Sequence, residues 1–212
     1  MSDVGRLVRE RGLVVLRQVT AAEFLDTMSQ LGPRYTHPDS DRDGTTLITP
    51  SRRHGEPGFG FTMQALPVHT DRSSLADPPR FLGMRLVRHG AHMGGTPVFA
   101  DLDLASAGMP KEAIASLSIQ SAPDGRRLPF RLGCCGLRYR DDAHGSLVGP
   151  RDLLAEIRRR TAQVTMAADW LSSGDAYIID NHRIAHGRTA ITHPARIGVR
   201  VLAYSPEQKR EL

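Results

Sequence analysis

The feature that most limits what this chain can fold into is a succession of short strand-like runs separated by turn residues. They are Leu13-Val-Val-Leu16, Leu66-Pro-Val-His69, Arg80 to Val87, Pro97-Val-Phe-Ala100, Ala176-Tyr-Ile-Ile-Asp180 and Ile197 to Tyr204, and their lengths and compositions suit buried or half-buried strands. Helical spacing is confined to Val4, Leu7 and Val8, to Phe24, Leu25, Met28 and Leu31, and to residues 150 to 163. Thr20-Ala-Ala-Glu23 predicts a capped start for the second of these helices, and Gly32-Pro33 its end. Residues 34 to 60 are polar and turn-rich, and read as a loop region holding one strand at Thr46-Leu-Ile-Thr49. A doubly wound sheet needs strands and helices in regular alternation, which this order lacks. The expected fold is β-dominated α+β: a jelly-roll barrel, or double-stranded β-helix, with a few peripheral helices.

Composition then removes whole classes of function. With 212 residues and 40% hydrophobic content the chain can bury one sizeable core, and a single domain over residues 1–212 is expected. No run approaches the roughly 18 consecutive apolar residues of a membrane span, and Met1 to Arg6 has neither the basic nor the apolar region of a signal peptide. A cytoplasmic protein without a membrane partner is expected. Cys134 and Cys135 are adjacent, so they cannot join distant segments, match no zinc spacing and read as reduced thiols. The formal charge of +5 comes almost wholly from scattered arginines, Lys111 and Lys209 being the only lysines, and 5% aromatic content is too low for a base-stacking platform. No nucleic-acid partner is expected, whereas a basic surface suits an acidic substrate or carrier.

The chemistry concentrates in His-x-acid pairs. Residues i and i+2 of a strand project to one side, so such a pair can supply two ligands of a 2-His-1-carboxylate iron(II) site that keeps positions open for a chelating cosubstrate and dioxygen. With nine histidines and 23 acidic residues, chance alone yields such pairs, and there are three. His37-Pro-Asp39 and His54-Gly-Glu56 lie in the polar loop region and read as solvated turns. His69-Thr-Asp71 follows the apolar Leu66-Pro-Val68 and reads as a strand end. The third ligand must come from a distant strand. His182 and His186 are four apart and would share a face on a helix. The Gly174-Asp175 turn, the β-branched run after it and Asp180-Asn181 instead indicate a strand, a turn and a second strand, which assigns His186 to the metal and His182 to the turn.

Together these residues resemble the taurine dioxygenase and clavaminate synthase-like group of iron(II)/2-oxoglutarate oxygenases. The likeness runs from about Gly12 to Tyr204 and rests on Gly12-Leu-Val-Val-Leu16, His69-Thr-Asp71, Gly94-Gly-Thr96, the block from Gly174 to Arg188, and Arg196 to Arg200. It implies Fe(II) held by His69, Asp71 and His186, with 2-oxoglutarate and dioxygen as cosubstrates. It implies that Thr96, 27 residues beyond His69, contacts 2-oxoglutarate. It also implies an arginine past the distal histidine for the cosubstrate's far carboxylate, which a planar guanidinium binds bidentately. Arg196 and Arg200 lie 10 and 14 residues beyond His186. The resemblance favours Arg196, with Arg200 lining the same pocket or contacting substrate, and leaves the choice open. Halogenating relatives carry a small residue in place of Asp71, so its presence implies hydroxylation-type chemistry. The chain has little sequence between about residues 104 and 165, where relatives often carry long lids, which implies a pocket left open or completed by a partner.

The implied activity is oxidation of an unactivated C–H bond in a small polar, amino-acid-derived metabolite of secondary metabolism, free or carrier-tethered. Desaturation, cyclisation and epimerisation by the same chemistry stay open. Residues considered for the substrate are Gly58 to Gln64 and Gly136 to Arg140, with Arg138, Arg183, Arg188 and Arg200 beside them. A zinc-dependent hydrolase could use the same His/Asp/His set but needs no paired threonine and arginine. A non-catalytic jelly-roll binding protein predicts a damaged triad.

Overall fold

Thr20 accepts the Glu23 N–H at 3.2 Å while the Glu23 carboxylate accepts the Thr20 N–H at 2.8 Å, so the helix predicted from Thr20-Ala-Ala-Glu23 begins with a complete capping box. A computed structural model describes residues 3–51, 59–122, 124–133 and 136–208; Cys134, Cys135, Lys209 and the His54-Gly-Glu56 pair lie outside the described residues. The chain opens with α1 (Asp3–Arg11), β1 (Leu13–Leu16) and α2 (Ala21–Leu31). β2 (Arg34–Tyr35), β3 (Thr45–Ile48), β4 (Leu66–His69), β5 (Phe81–Arg88) and β6 (Pro97–Asp101) follow, then α3 (Leu102–Ser106) and α4 (Lys111–Ala115). The middle holds β7 (Ser118–Ser121), β8 (Arg127–Pro129), β9 (Arg131–Leu132), β10 (Gly136–Leu137) and β11 (Gly145–Val148). α5 (Arg151–Val164), β12 (Thr165–Ala167), β13 (Ala176–Asp180), β14 (Ile184–Arg188) and β15 (Ile197–Ala203) complete it. The fold is β-dominated with few helices, as expected.

Two antiparallel sheets carry the site. One runs β1-β13-β5-β15-β2, with β3 also on β15, and the other runs β12-β6-β14-β4. Both faces of the larger sheet are buried, which is why its strands read as continuous apolar runs. In β13, Tyr177 and Ile179 pack with Leu82 and Leu202 and with Phe99 and Ile184 of the second sheet. Ala176 and Ile178, of opposite parity, meet Val8, Phe24 and Met28 of α1 and α2. On the outer side of the second sheet, Ala100 and Ala185 pack with Ile157 of α5 and with Phe130, Leu137 and Leu147.

That last cluster brings the middle segment to the site. Phe130, Leu137 and Leu147 give the middle segment an apolar anchor against α5. Folded back in this way, with β11, β7 and β8 forming their own sheet, it brings Ile119, Ser121, Arg140 and His144 to the cavity wall. Two-residue strands such as β9 and β10 leave no periodic trace in a sequence, so this wall is not legible there.

β4 and β14 approach so closely that a Cβ on Gly187 would run into the Leu66 carbonyl oxygen and lie 3.0 Å from the Pro67 carbonyl carbon. Backbone atoms cannot swing aside as a side-chain tip does. Gly187→Ala is therefore expected to cost about 1–3 kcal/mol of stability, measured as a lower urea midpoint at unchanged slope.

Candidate functional site

His69 closes β4, and its partner across the ladder in β14 is His186. Strand pairing itself therefore brings the two buried imidazoles together, with ring centroids 4.6 Å apart. Thr70 turns the other way: its N–H donates to the Tyr139 carbonyl at 2.8 Å and its hydroxyl accepts the Tyr139 N–H at 3.0 Å. Asp71 thus returns to the side of His69, and both line one cavity with His186. Asn181, fully buried between β13 and β14, grips the Asp71 backbone. Its Oδ1 accepts the Asp71 N–H at 2.7 Å, and its Nδ2 donates to the carbonyls of Asp71 at 3.0 Å and Pro79 at 2.9 Å.

The electrostatics leave these groups in the forms a divalent cation requires. His69 Nδ1 lies 2.9 Å from the Pro67 carbonyl; because a carbonyl only accepts, that nitrogen carries the proton and Nε2 keeps its lone pair. Burial, followed by the charge of Arg140, holds His69 well below the usual imidazole range. Burial likewise lowers His186 to about 4, and its Nδ1 has no hydrogen-bond partner among the described residues. Burial alone would raise the Asp71 carboxyl, but the Arg200 guanidinium beside it overrules burial and keeps the group ionised. Among the described residues no three His, Cys, Asp or Glu side chains close into a tight metal-binding group. The imidazoles are adjacent, whereas the Asp71 carboxylate accepts Arg200 Nη1 at 2.8 Å and the Arg72 N–H at 3.1 Å.

A pH dependence follows. His186 binds a proton near pH 6.5 when unfolded and near 4 when folded, so the unfolded chain holds an extra proton between those values. Its contribution to stability is complete above about 6.5 and is lost as pH falls toward 4. The lowered His69 acts in the same direction. Urea unfolding in the presence of a chelator should show stability declining steadily from pH 7 to 4.5, and a flat profile would contradict the buried neutral pair.

The cavity measures about 280 Å³ and is also lined by Phe61, Met84, Tyr177, Arg72, Arg140, Arg188, Arg196 and Arg200. Arg196, immediately before β15, is 3% exposed. Its Nη2 donates to the Gly95 carbonyl at 3.1 Å, and its Nε has no partner among the described residues. Thr96 is not brought into the lining: its main-chain groups pair with Thr189, and Pro97 is the neighbour that reaches the wall.

Two expectations need correction. Arg138 does not face the cavity; it donates to the carbonyls of Ser73 and Leu75 at 2.7 Å and Ala76 at 3.1 Å, and so pins the loop after the His69-Thr-Asp71 turn. Arg188 lines the cavity, but its guanidinium is engaged by the carbonyls of Gln64, Thr62, Gly60 and Thr189. His37-Pro-Asp39 is a turn with Pro38 and Asp39 exposed, as expected, yet its two end residues also line the cavity, and His37 is lowered by burial and then by Arg200. β2 and β3 both pair with β15, the strand of Arg200, and this long-range pairing carries their connecting loop to the site. Elsewhere, Arg183 forms an ion pair with Asp101 at 2.7 Å, and His182 Nε2 lies 2.9 Å from the Pro78 carbonyl, in keeping with its assignment to the turn.

A family model described as taurine catabolism dioxygenase TauD, TfdA family, matches residues 1–130, a span that includes His69, Asp71 and Thr96 and ends before His186. No curated protein matches the chain. Among solved structures, an asparagine oxygenase complexed with Fe(II), hydroxyasparagine and succinate is 20% identical with a TM-score of 0.79, over 95% of this chain and 78% of that one. PvcB of Pseudomonas aeruginosa, an iron- and α-ketoglutarate-dependent oxygenase from an isonitrile pathway, is 22% identical with a TM-score of 0.71, over 97% and 80%. The non-haem iron oxygenase OrfP, complexed with iron and α-ketoglutaric acid, is 21% identical with a TM-score of 0.71, over 100% and 83%. At these identities the likeness concerns the fold.

Proposed function

Since this chain belongs to the TauD/TfdA family of dioxygenases, we propose that it is an iron(II)- and 2-oxoglutarate-dependent dioxygenase that hydroxylates a C–H bond of a small amino-acid-derived metabolite. The observation that carries this reading is the cross-strand pair His69 and His186, neutral and 4.6 Å apart, sharing one cavity with the ionised Asp71. Two imidazoles and one carboxylate suit iron(II) and leave coordination positions for cosubstrate and oxygen. The buried Nε orphans of Arg196 and Arg200 suit an incoming carboxylate. On this reading His69, Asp71 and His186 hold the metal, with Asp71 turning from Arg200 toward it, and Arg196 binds the far carboxylate of 2-oxoglutarate. Thr96 takes a lesser part, through the Gly94-Gly95 turn that accepts Arg196. Bound iron would supply dioxygen activation coupled to decarboxylation of 2-oxoglutarate to succinate.

The two sheets facing each other across the shared apolar core of Leu82, Tyr177 and Phe99 support a jelly-roll arrangement, and we take residues 1–212 as one catalytic unit. The metabolite class draws on the asparagine oxygenase and on an OrfP variant complexed with (3S)-hydroxy-L-Arg. No helix among the described residues is long and apolar enough to cross a membrane, and a cytoplasmic setting in secondary metabolism belongs to the same proposal. The test is anaerobic addition of Fe(II) and 2-oxoglutarate, which should develop the visible charge-transfer band of the chelate, followed by succinate release in air across an amino-acid panel. Absence of both overturns the reading.

A further inference from the structure

Arg140 reaches the cavity from the segment between β10 and β11, outside the two sheets that carry the histidines. Its Nε stands 3.1 Å from both carboxylate oxygens of Asp142. Asp142 is itself fixed, its Oδ1 accepting the His144 N–H at 2.8 Å and its backbone N–H donating to the Gly145 carbonyl at 2.8 Å. This contact engages one of the five guanidinium donors. Arg140 has no other hydrogen-bond partner among the described residues, although its side chain is only 14% exposed. An ion pair serving the fold alone commonly uses the fork, as Arg158 does when it meets Asp141 through Nε at 2.6 Å and Nη2 at 3.0 Å. Asp142 instead holds Arg140 by Nε and leaves both terminal nitrogens unengaged.

A guanidinium end left without a protein acceptor is met best by an oxyanion. Arg188 is engaged by backbone carbonyls and Arg72 lies over the Tyr35 ring at 5.4 Å, while Arg196 and Arg200, beside and within β15, are assigned to the cosubstrate. The charge of Arg140 is felt at His69, Asp71 and His186, which places it in the neighbourhood of the reacting centre. We propose that Arg140, buttressed by Asp142, binds an oxyanionic group of the substrate and makes the enzyme selective for an acidic metabolite over its neutral counterpart. This inference rests on the oxygenase reading.

The experiment titrates the charge-transfer band of the anaerobic Fe(II)/2-oxoglutarate enzyme with L-aspartate, L-glutamate, L-cysteate and the α-amides and side-chain amides of the first two. At least one acid should shift the band, and neutralising the relevant carboxylate should remove the shift; a response to cysteate would show that a sulfonate serves in place of a carboxylate. Arg140→Gln should raise the apparent Kd of the responding acid roughly 10- to 100-fold. Arg140→Lys should recover part of that loss, since it keeps the charge without the fork. Band formation in each variant reports an intact site, and the acid-against-amide comparison in the unaltered enzyme stands even if a variant does not fold. The proposal is overturned if amides act as well as acids, if Arg140→Gln binds the acid unchanged, or if no acid perturbs a band that forms normally. A band that never forms in the unaltered enzyme overturns the oxygenase reading instead, and this inference with it.

Discussion

Asp71→Ala is expected to reduce succinate formation by roughly a thousandfold or more, beyond the 10- to 100-fold typical of removing a metal site's outer partner. The substitution has a second consequence. Arg200 Nη1 donates to Asp71 Oδ2 at 2.8 Å in a pair whose side chains are only 13% and 7% exposed. Removing the carboxylate leaves a buried guanidinium uncompensated, which costs on the order of 3–5 kcal/mol. Activity and stability should therefore fall together, and the double variant Asp71→Ala/Arg200→Met should regain stability without regaining activity. Urea unfolding, metal titration and succinate release measure these three effects separately. Full activity in Asp71→Ala would refute the assignment of Asp71 to the metal.

Asn181→Ala carries the next largest effect. It removes three hydrogen bonds and leaves the Asp71 N–H, the Asp71 carbonyl and the Pro79 carbonyl buried without partners. The expected loss is about 2–5 kcal/mol of stability, with metal affinity lowered roughly 10- to 100-fold as the Asp71 backbone loosens. Asn181→Asp should fare no better, because it keeps an acceptor for the Asp71 N–H but sets a second acceptor against two carbonyls. A variant with lower stability and unchanged metal affinity would reduce Asn181 to a purely structural role.

What can be read from the sequence is whatever local physics decides. The capping box at Thr20 depends on four residues, and the shared side of His69 and Asp71 on three, with Thr70 turned away although β4 itself ends at His69. The separation of His186 from His182 needs only the turn at Asp180-Asn181. Where long-range pairing decides, local signals fail. His37-Pro-Asp39 looks like any polar turn until β2 and β3 attach to β15. Arg138 and Arg140 share parity in a strand, yet the chain leaves β10 at Leu137, after which one arginine turns to the loop at Ser73 and the other to the cavity. Asn181 reads as a mere turn residue because its three partners lie over 100 positions away.

Arg138 and Arg188 hold the loops at residues 73–76 and 60–64 through main-chain carbonyls alone. Every residue type presents the same carbonyl, so these anchors are indifferent to which side chains the loops carry. A position such as Ser74, which lines the cavity, can therefore be exchanged while the loop path is retained. The rim of the pocket is in effect an interchangeable part on a fixed mount, where directed evolution could retune substrate choice without disturbing the centre beneath it.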